Sequence, residues 1–319
     1  MNVIMGLPRS GSTLLCNVLA QNPAFKVEHT NPLPNVLRAM MSIWSQDPDI
    51  KGGLQEHRVD ETEARLLRCA RAVCDSWANT DKTYFNKSRG WAGNVLALQQ
   101  AYPAAKVIVT VRDPREVFAS FEKQHRKFPL LDDAQNEKTR NIYQRALQMF
   151  SPQGMIGSCL EGVKDVLDRR LEVFWFRYED FVRNPQEMME RLYAFCDFGF
   201  FEHDFDNVVN TATDPDHLYN NKFPHKGEGK IENRAPAWPK VMSREIAAEV
   251  MAGFPWYCSK FGYASPRRPA GTPEPMPMEQ TKKRLGMDHP ENGNGNRSHP
   301  AETQAGLLPP SRLKHPSAQ

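Results

Sequence analysis

Residues 6–15 hold the side chains best suited to bind an anion. They read Gly-Leu-Pro-Arg-Ser-Gly-Ser-Thr-Leu-Leu, follow the apolar run 3–5 and precede a segment, 14–21, whose pattern predicts a helix. A strand, a glycine turn and a helix in this order point backbone N–H groups and the positive end of a helix dipole at a bound phosphate. The sequence therefore predicts a phosphate-binding loop, called the glycine loop below, after the first strand.

The glycine loop differs from the phosphate loop of nucleoside triphosphatases. Gly6 and Gly11 have the same spacing as in that loop, but Ser12 stands where the lysine is expected, and Arg9 supplies a cation earlier. An early cation with two hydroxyls suits a single 5′-phosphate group better than a β/γ-phosphate pair. An ordinary Gly/Ser turn between a strand and a helix is the alternative interpretation.

A second candidate anion site follows the clearest strand pattern in the chain, residues 106–111. Arg112 comes directly after this strand, and Ser120 lies eight residues further on in a predicted helix. Ligands of doubly wound sheets bind at the carboxyl ends of strands. Arg112 and Ser120 could therefore hold a second phosphate from two sides, although Arg-Asp-Pro after a strand also occurs as a structural turn.

Together the two motifs resemble the sulfotransferase family, whose donor is 3′-phosphoadenosine 5′-phosphosulfate (PAPS). The resemblance implies that Arg112 and Ser120 bind the 3′-phosphate of the donor. It also implies that the 5′-phosphosulfate end is bound by the glycine loop, through Arg9, Ser10, Gly11, Ser12, Thr13 and Leu14. PAPS, and its product adenosine 3′,5′-bisphosphate (PAP), are thus the expected donor and product.

Within that family, residues 3–263 look most like the tyrosylprotein sulfotransferase branch and its bacterial relatives. The resemblance places Tyr178 of the segment Arg-Tyr-Glu-Asp beside the nucleotide, although packing in the core would explain this tyrosine nearly as well. It also implies that Lys230 and Lys240, in a late loop, close over the donor.

Sulfuryl transfer requires a base for the acceptor proton and positive charge near the leaving oxygen. Glu28 matches the catalytic glutamate of the family if one gap is allowed, whereas an ungapped count favours His29. Neighbouring strand residues point to opposite faces, so only one of the two is expected to face the cleft, and Glu28 is preferred. Lys87 is the candidate that assists the leaving group. A surface Glu-His pair and a solvated lysine are the alternatives.

The chain departs from the tyrosylprotein branch in several places. Gly229 replaces a serine that is expected before Lys230. Gln124 stands where a further arginine of the 3′-phosphate site is expected, and Lys123 or Arg126 could substitute for that arginine. The sequence does not reproduce the cysteines that form disulfides in that branch. It does not reproduce the membrane anchor of that branch either. The acceptor therefore remains open among a peptide tyrosine, a sugar, a lipid and a small metabolite that carries a hydroxyl or an amine.

Composition indicates a globular protein that acts on a small anionic ligand. The chain has 319 residues, 40% of them hydrophobic, and a net charge of +3 that is too small to argue for nucleic acid. Its apolar runs are too short for a membrane span, and it begins without a recognisable export signal, so a cytoplasmic location is expected. The six scattered cysteines are expected to be free thiols, and no metal site is predicted.

Strands alternate with helices over the first 200 residues, which predicts an α/β fold. The expected architecture is a three-layer P-loop-type domain, residues 1–264, with a central parallel sheet flanked by helices. Residues 45–58 are expected to form a loop, and residues 204–240 a lid or substrate loop. Residues 265–319 are rich in proline, glycine and asparagine, which predicts a disordered tail.

Two other functions compete with a PAPS-dependent sulfotransferase. A small-molecule kinase that uses ATP and Mg²⁺ would fit a glycine loop, but the loop lysine and a clear Mg²⁺-binding aspartate after a strand are missing. A non-catalytic nucleotide-binding or scaffold protein is the other alternative, which the departure at Gly229 keeps open.

Overall fold

Five parallel strands form the central sheet. The computed structural model describes residues 1–55, 59–127, 141–211 and 227–263, which belong to one compact unit. Neighbouring strands pair in the order β2-β3-β1-β4-β5, and each pairing is parallel. The strands are β1 (Asn2–Gly6), β2 (Phe25–Glu28), β3 (Thr83–Lys87), β4 (Val107–Val111) and β5 (Phe174–Arg177).

Helices connect the strands and cover the sheet. Two short 3-10 helices, Arg89–Gly93 and Trp238–Lys240, lie among them. The α-helices are α1 (Ser12–Leu19), α2 (Leu33–Gln46), α3 (Pro48–Gln55), α4 (Val59–Ala78), α5 (Val95–Ala101), α6 (Pro114–Lys127), α7 (Ile142–Phe150), α8 (Gly157–Asp168), α9 (Tyr178–Arg183), α10 (Pro185–Cys196), α11 (Arg244–Gly253) and α12 (Pro255–Phe261). None of these described helices is both long enough and apolar enough to cross a membrane.

The sheet separates two hydrophobic cores. Successive side chains of a strand point to opposite faces, so Val3 and Met5 of β1 pack with α5, α6 and α8. Ile4, between them, packs on the other face with α1 and α10. A parallel sheet buried on both faces is the predicted α/β architecture, which the structure confirms.

The pairing of β1 with β4 brings the two candidate anion-binding segments together. Gly6 at the end of β1 lies beside Thr110 of β4. Leu7 N–H donates to the Thr110 carbonyl oxygen at 3.0 Å, which extends the ladder by one bond. The glycine loop and Arg112 therefore leave the same edge of the sheet side by side.

One local prediction is corrected by the structure. The loop predicted over residues 45–58 is wrong, because Pro48–Gln55 form α3. Asp47 starts this helix by accepting hydrogen bonds from the N–H groups of Asp49 and Ile50, both at 3.0 Å. The predicted tail, residues 265–319, lies outside the described residues.

A buried carboxylate fixes α6, the helix that carries Ser120. Glu122 is 2% exposed. Its oxygens accept two hydrogen bonds from Arg145 of α7, at 2.8 and 2.7 Å, and one from Arg126 at 2.9 Å. Because a buried carboxylate needs such partners, this ion pair orients α6 against α7.

We expect Glu122→Gln to lower the free energy of unfolding by about 2–4 kcal/mol, because Arg145 would lose its counter-charge in a largely buried site. Urea denaturation measures this change. The control is Glu161→Gln on the exposed side of α8, which should alter stability by less than about 0.5 kcal/mol. Equal midpoints for both variants would contradict the structural role of Glu122.

Candidate active site at the carboxyl edge of the sheet

A cavity of about 630 Å³ opens where the central strands end. Its walls come from the glycine loop, the segment after β2, the end of β3, the middle of α6 and residues 227–234. Ten of the predicted site residues line it: Arg9, Gly11, Ser12, Thr13, Leu14, Lys87, Arg112, Ser120, Tyr178 and Lys230.

The glycine loop makes a tight turn against Tyr178. Arg9 and Gly11 have positive φ angles of 58° and 84°, and α1 begins at the next residue, Ser12. A Cβ atom on Gly11 would lie 2.5 Å from a ring carbon of Tyr178, so only glycine allows this contact. The N–H groups at the start of α1 consequently border the cavity, where they can bind an anion.

Arg112 is held in place from several sides. Its guanidinium stacks on the Tyr178 ring at 4.1 Å and donates a hydrogen bond to the Arg9 carbonyl oxygen at 2.8 Å. Glu116 lies 3.5 Å away, and the buried Nε atom of Arg112 has no hydrogen-bond partner within the described segments. A guanidinium oriented in this way retains donor capacity for a phosphate or sulfate group.

Arg9 and Ser120 complete one side of the cavity. Arg9 Nε donates to Ser120 Oγ at 3.1 Å, which joins the glycine loop to α6. Arg9 and Ser120 therefore lie close to Arg112, and the members of the two predicted anion sites that line the cavity form one continuous surface.

Lys87 brings a cation to the glycine loop from the neighbouring strand. The residue is only 6% exposed, and its Nζ donates to Thr13 Oγ1 at 3.2 Å. The strand register explains this approach, because the last residues of β3 pair with β1 beneath the loop.

Glu28 and His29 lie on opposite faces of the strand end, as the alternation predicts, and neither belongs to the cavity lining. Glu28 Oε2 accepts a hydrogen bond at 2.9 Å from Asn31, a lining residue. His29 is buried on the side of α1, with its Nε2 atom 3.2 Å from Thr211 Oγ1. Glu28 is thus one side chain removed from the cavity.

Two residues that were predicted to bind PAPS, Ser10 and Lys240, do not line the cavity. Ser10 is fully buried, and its hydroxyl contacts the Leu7 carbonyl oxygen at 2.5 Å and Thr110 Oγ1 at 2.7 Å. Lys240 is exposed in the 3-10 helix Trp238–Lys240. Lys230 lines the cavity, although its ammonium forms an exposed ion pair with Asp206 at 2.8 Å.

Several polar lining residues had not been singled out by the sequence. They are Thr30, Asn31, Asn35, Arg89, Glu228 and Arg234. Thr30, Asn31 and Asn35 lie in a segment without a motif, so no local pattern could have found them. Tyr84 was also missed, although a tyrosine and an asparagine in a predicted buried strand were a usable signal.

Tyr84 keeps its hydroxyl proton beside the Glu28 carboxylate. Burial, and next the hydrogen bond to Glu28, raise the pKa of Tyr84 above its ordinary value. The hydroxyl therefore acts as a donor to Glu28 Oε2, at a distance of 2.6 Å.

Comparison with known proteins identifies the family. The sequence model of the sulfotransferase family matches residues 3–202. The chain belongs to the sulfotransferase family. The matched region contains the glycine loop, Glu28, Lys87, Arg112 and Tyr178, and the predicted family is confirmed.

Individual relatives of this sulfotransferase are distant. Protein-tyrosine sulfotransferase 1 of Danio rerio is 27% identical over 200 residues, which cover 60% of this chain and 51% of the relative. The chain thus spans about half the length of that curated relative.

Two solved structures are also similar to this chain. The sulfotransferase domain of the Synechococcus PCC 7002 olefin synthase has a TM-score of 0.49 and 19% identity, covering 83% of this chain and 95% of the domain. Sulfotransferase STF9 of Mycobacterium avium has a TM-score of 0.46 and 15% identity, covering 83% and 78%.

We expect Gly11→Ala to destabilise the sulfotransferase by about 1–3 kcal/mol, because the new methyl group would meet the Tyr178 ring at a backbone angle that alanine disfavours. Denaturant titration measures the loss. Gly52→Ala is the matched control, since a Cβ there meets nothing within 4 Å. It lies inside α3, where alanine should stabilise by about 0.5–1 kcal/mol. Equal effects at both positions would contradict the tight contact.

Proposed function

We propose that this sulfotransferase moves a sulfuryl group from PAPS to a hydroxyl or amine acceptor by in-line displacement. The acceptor oxygen or nitrogen forms a bond to sulfur while the bond between sulfur and the 5′-phosphate oxygen breaks. Glu28 takes the acceptor proton, and PAP leaves with the electron pair of the broken bond. Both substrates are consumed in equal amounts, so the reaction is balanced without a further reactant.

The observation that carries this proposal is the convergence of two anion-binding sets on one cavity. The N-terminus of α1 with Arg9 forms the first set, and Arg112 with Ser120 forms the second. The hydrogen bond of 3.1 Å between Arg9 and Ser120 joins them. A nucleotide with phosphate groups at both its 3′ and 5′ positions is the ligand that uses both sets.

Lys87 is proposed to stabilise the negative charge that develops on the leaving phosphate oxygen. Its ammonium group contacts Thr13 at the N-terminus of α1, where the 5′-phosphate would bind. Positive charge placed beforehand at a developing anion lowers the barrier without reorganisation during the reaction.

Glu28 is the proposed base, and His29 is the alternative. The Glu28 side chain is 29% exposed and contacts the cavity wall through Asn31, so a small shift of Asn31 would open its path to an acceptor. His29 lies on the opposite face of the strand end, under Thr211. This placement favours Glu28.

We also assign Tyr178, Lys230 and Lys240 to the PAPS-binding site. Tyr178 borders the glycine loop and supports Arg112, so its ring lies where a nucleotide would pass. Lys230 is already at the cavity wall, whereas Lys240 would require movement of its segment toward the donor.

The turn after β4 supports sulfuryl transfer over ATP-dependent phosphoryl transfer. Both oxygens of Asp113 are bound by the Arg115 guanidinium, at distances between 2.6 and 3.1 Å. A carboxylate occupied in this way is a poor ligand for Mg²⁺, which a kinase would need near its phosphates.

The acceptor is proposed from the curated relative, whose name states that it acts on protein tyrosine. A tyrosine peptide is therefore the first acceptor to test, followed by a simple phenol, a sugar, an alkyl alcohol and an amine. Each of these offers a nucleophile whose proton a carboxylate can accept in the transition state.

We expect Arg112→Ala to weaken PAP binding by about 10- to 100-fold, because charge-assisted hydrogen bonds to a phosphate are worth roughly 1.5–3 kcal/mol. Adenosine 5′-phosphate lacks the 3′-phosphate, so its affinity should change little. Calorimetric titration measures both ligands, with Arg65→Ala on the exposed face of α4 as control. Tighter binding of ATP with Mg²⁺ than of PAP, unaffected by Arg112→Ala, would favour the kinase instead.

We expect Glu28→Gln to lower the turnover number by about 10²–10⁴-fold, as for the loss of a general base, while PAP affinity is retained. Transfer of sulfur-35 from labelled PAPS to the acceptors above provides the assay. Lys87→Ala should also lower the turnover number. Full activity of Glu28→Gln with loss of activity in His29→Gln would assign the base to His29.

A further inference from the structure

We propose that Tyr84 is a positioning residue that orients the Glu28 carboxylate. The inference rests on the proposed function, in which Glu28 is the base. It adds a role for residues that line no part of the cavity, namely Tyr84, Asn86 and Trp91.

A buried hydrogen-bond chain leads from the core to Glu28. Trp91 Nε1 lies 2.8 Å from Asn86 Oδ1, Asn86 Nδ2 lies 2.9 Å from the Tyr84 hydroxyl, and that hydroxyl lies 2.6 Å from Glu28 Oε2. Trp91 and Asn86 are fully buried and Tyr84 is 3% exposed. Water therefore does not compete for these groups.

Chemistry fixes the direction of every bond in this chain. An indole N–H can only donate, so the Asn86 oxygen must face Trp91 and its NH₂ group must face Tyr84. The Tyr84 oxygen accepts that bond, and its own proton is left for Glu28. The buried hydrogen bonds thus direct the Tyr84 hydroxyl proton toward the Glu28 carboxylate.

The donors around Glu28 are unequally divided between its two oxygens. Oε2 receives Tyr84, Asn31 at 2.9 Å and Trp77 at 3.2 Å. A carboxylate oxygen offers about two lone-pair sites, so three donors occupy Oε2 fully. Oε1 faces the Lys26 ammonium at 3.5 Å, and that ammonium is held more closely by the Ala78 carbonyl oxygen at 2.7 Å. Tyr84 makes the shortest of these contacts, so it has the greatest influence on the orientation of the carboxylate.

The strand register builds this arrangement. Glu28 of β2 pairs with Asn86 of β3, and Tyr84 lies two residues before Asn86 on the same face. Ser88 begins the 3-10 helix Arg89–Gly93 by accepting a hydrogen bond from Gly90 N–H at 3.2 Å. That turn brings the Trp91 indole back over the strand to Asn86.

The test is Tyr84→Phe, which removes the donor and leaves the ring in place. We expect the turnover number to fall about tenfold through loss of carboxylate orientation. The KM for PAPS and the affinity for PAP should remain unchanged. The assay follows PAP release from PAPS with 2-naphthol as the acceptor, and with water alone as a second acceptor that is always present.

Tyr102→Phe is the matched control. The Tyr102 hydroxyl also donates to a carboxylate at 2.6 Å, that of Asp75 on α4, but this pair lies outside the cavity lining. Removal of this hydroxyl should leave the turnover number unchanged. Thermal unfolding of both variants reports any general loss of stability.

A double-mutant cycle distinguishes positioning from an independent effect. If Tyr84 acts through Glu28, Tyr84→Phe should have no further effect on the residual rate of Glu28→Gln. Asn86→Asp provides a second variant, because its new oxygen would accept the Tyr84 proton and turn it away from Glu28. The same fall in turnover number is expected.

Each outcome bears on one of the two proposals. An unchanged turnover number in Tyr84→Phe and Asn86→Asp, with a strong loss in Glu28→Gln, would overturn the role of Tyr84 and leave the proposed function intact. An equal loss from Tyr84→Phe in the presence and absence of the Glu28 carboxylate would also overturn it. A wild-type chain that released no PAP from PAPS with the tyrosine peptide, the phenol, the sugar, the alcohol or the amine would overturn the proposed function and, with it, the role of Tyr84.

Discussion

The parallel pairing of β1 with β4 is the constraint on which the candidate site depends. Gly6 approaches β4 so closely that a Cβ atom would lie 2.1 Å from the Thr110 carbonyl oxygen, and its φ angle is 127°. A residue with a side chain could not end β1 in this way. This close approach lets the glycine loop turn directly over the edge from which Arg112 emerges, and so two sequence-distant segments share one cavity.

Two of the cations at that edge donate hydrogen bonds to hydroxyl groups. Arg9 donates to the Ser120 hydroxyl and Lys87 to the Thr13 hydroxyl. A neutral hydroxyl orients a cation without neutralising it, whereas a carboxylate does both. Arg115 shows the contrast, because Asp113 binds it through both oxygens and removes it from any role toward an anion.

Two partly buried carboxylates, Glu116 and Glu179, connect this edge to later parts of the chain. Glu116 accepts hydrogen bonds from the backbone N–H groups of Ala237 and Trp238, at 2.7 and 2.8 Å, while it contacts Arg112. Glu179 accepts bonds from Asp113 N–H at 2.9 Å and the Tyr263 hydroxyl at 3.0 Å. The turn that carries Arg112 is therefore tied to the last part of the described chain, which limits its movement before a ligand binds.

The sequence by itself determined the order of the elements, the glycine loop and the anion-binding residues after two strands. These features are local: a β-branched run specifies β4, and the spacing of glycine, arginine and hydroxyl residues specifies the loop. Helix α3 was missed because Asp47 and Pro48 resemble a turn signal as much as a helix start.

Only the tertiary structure decided which side chains face the cavity and which are turned away. Ser10 and Thr13 belong to the same motif, yet the hydroxyl of Ser10 is buried against Thr110 whereas Thr13 meets Lys87. Glu28 acquires its donors from β3, α4 and the turn after β2, which sequence spacing cannot bring together. The physical reason is that hydrogen-bond direction and burial depend on strand register and on packing between distant segments, and no single segment contains that information.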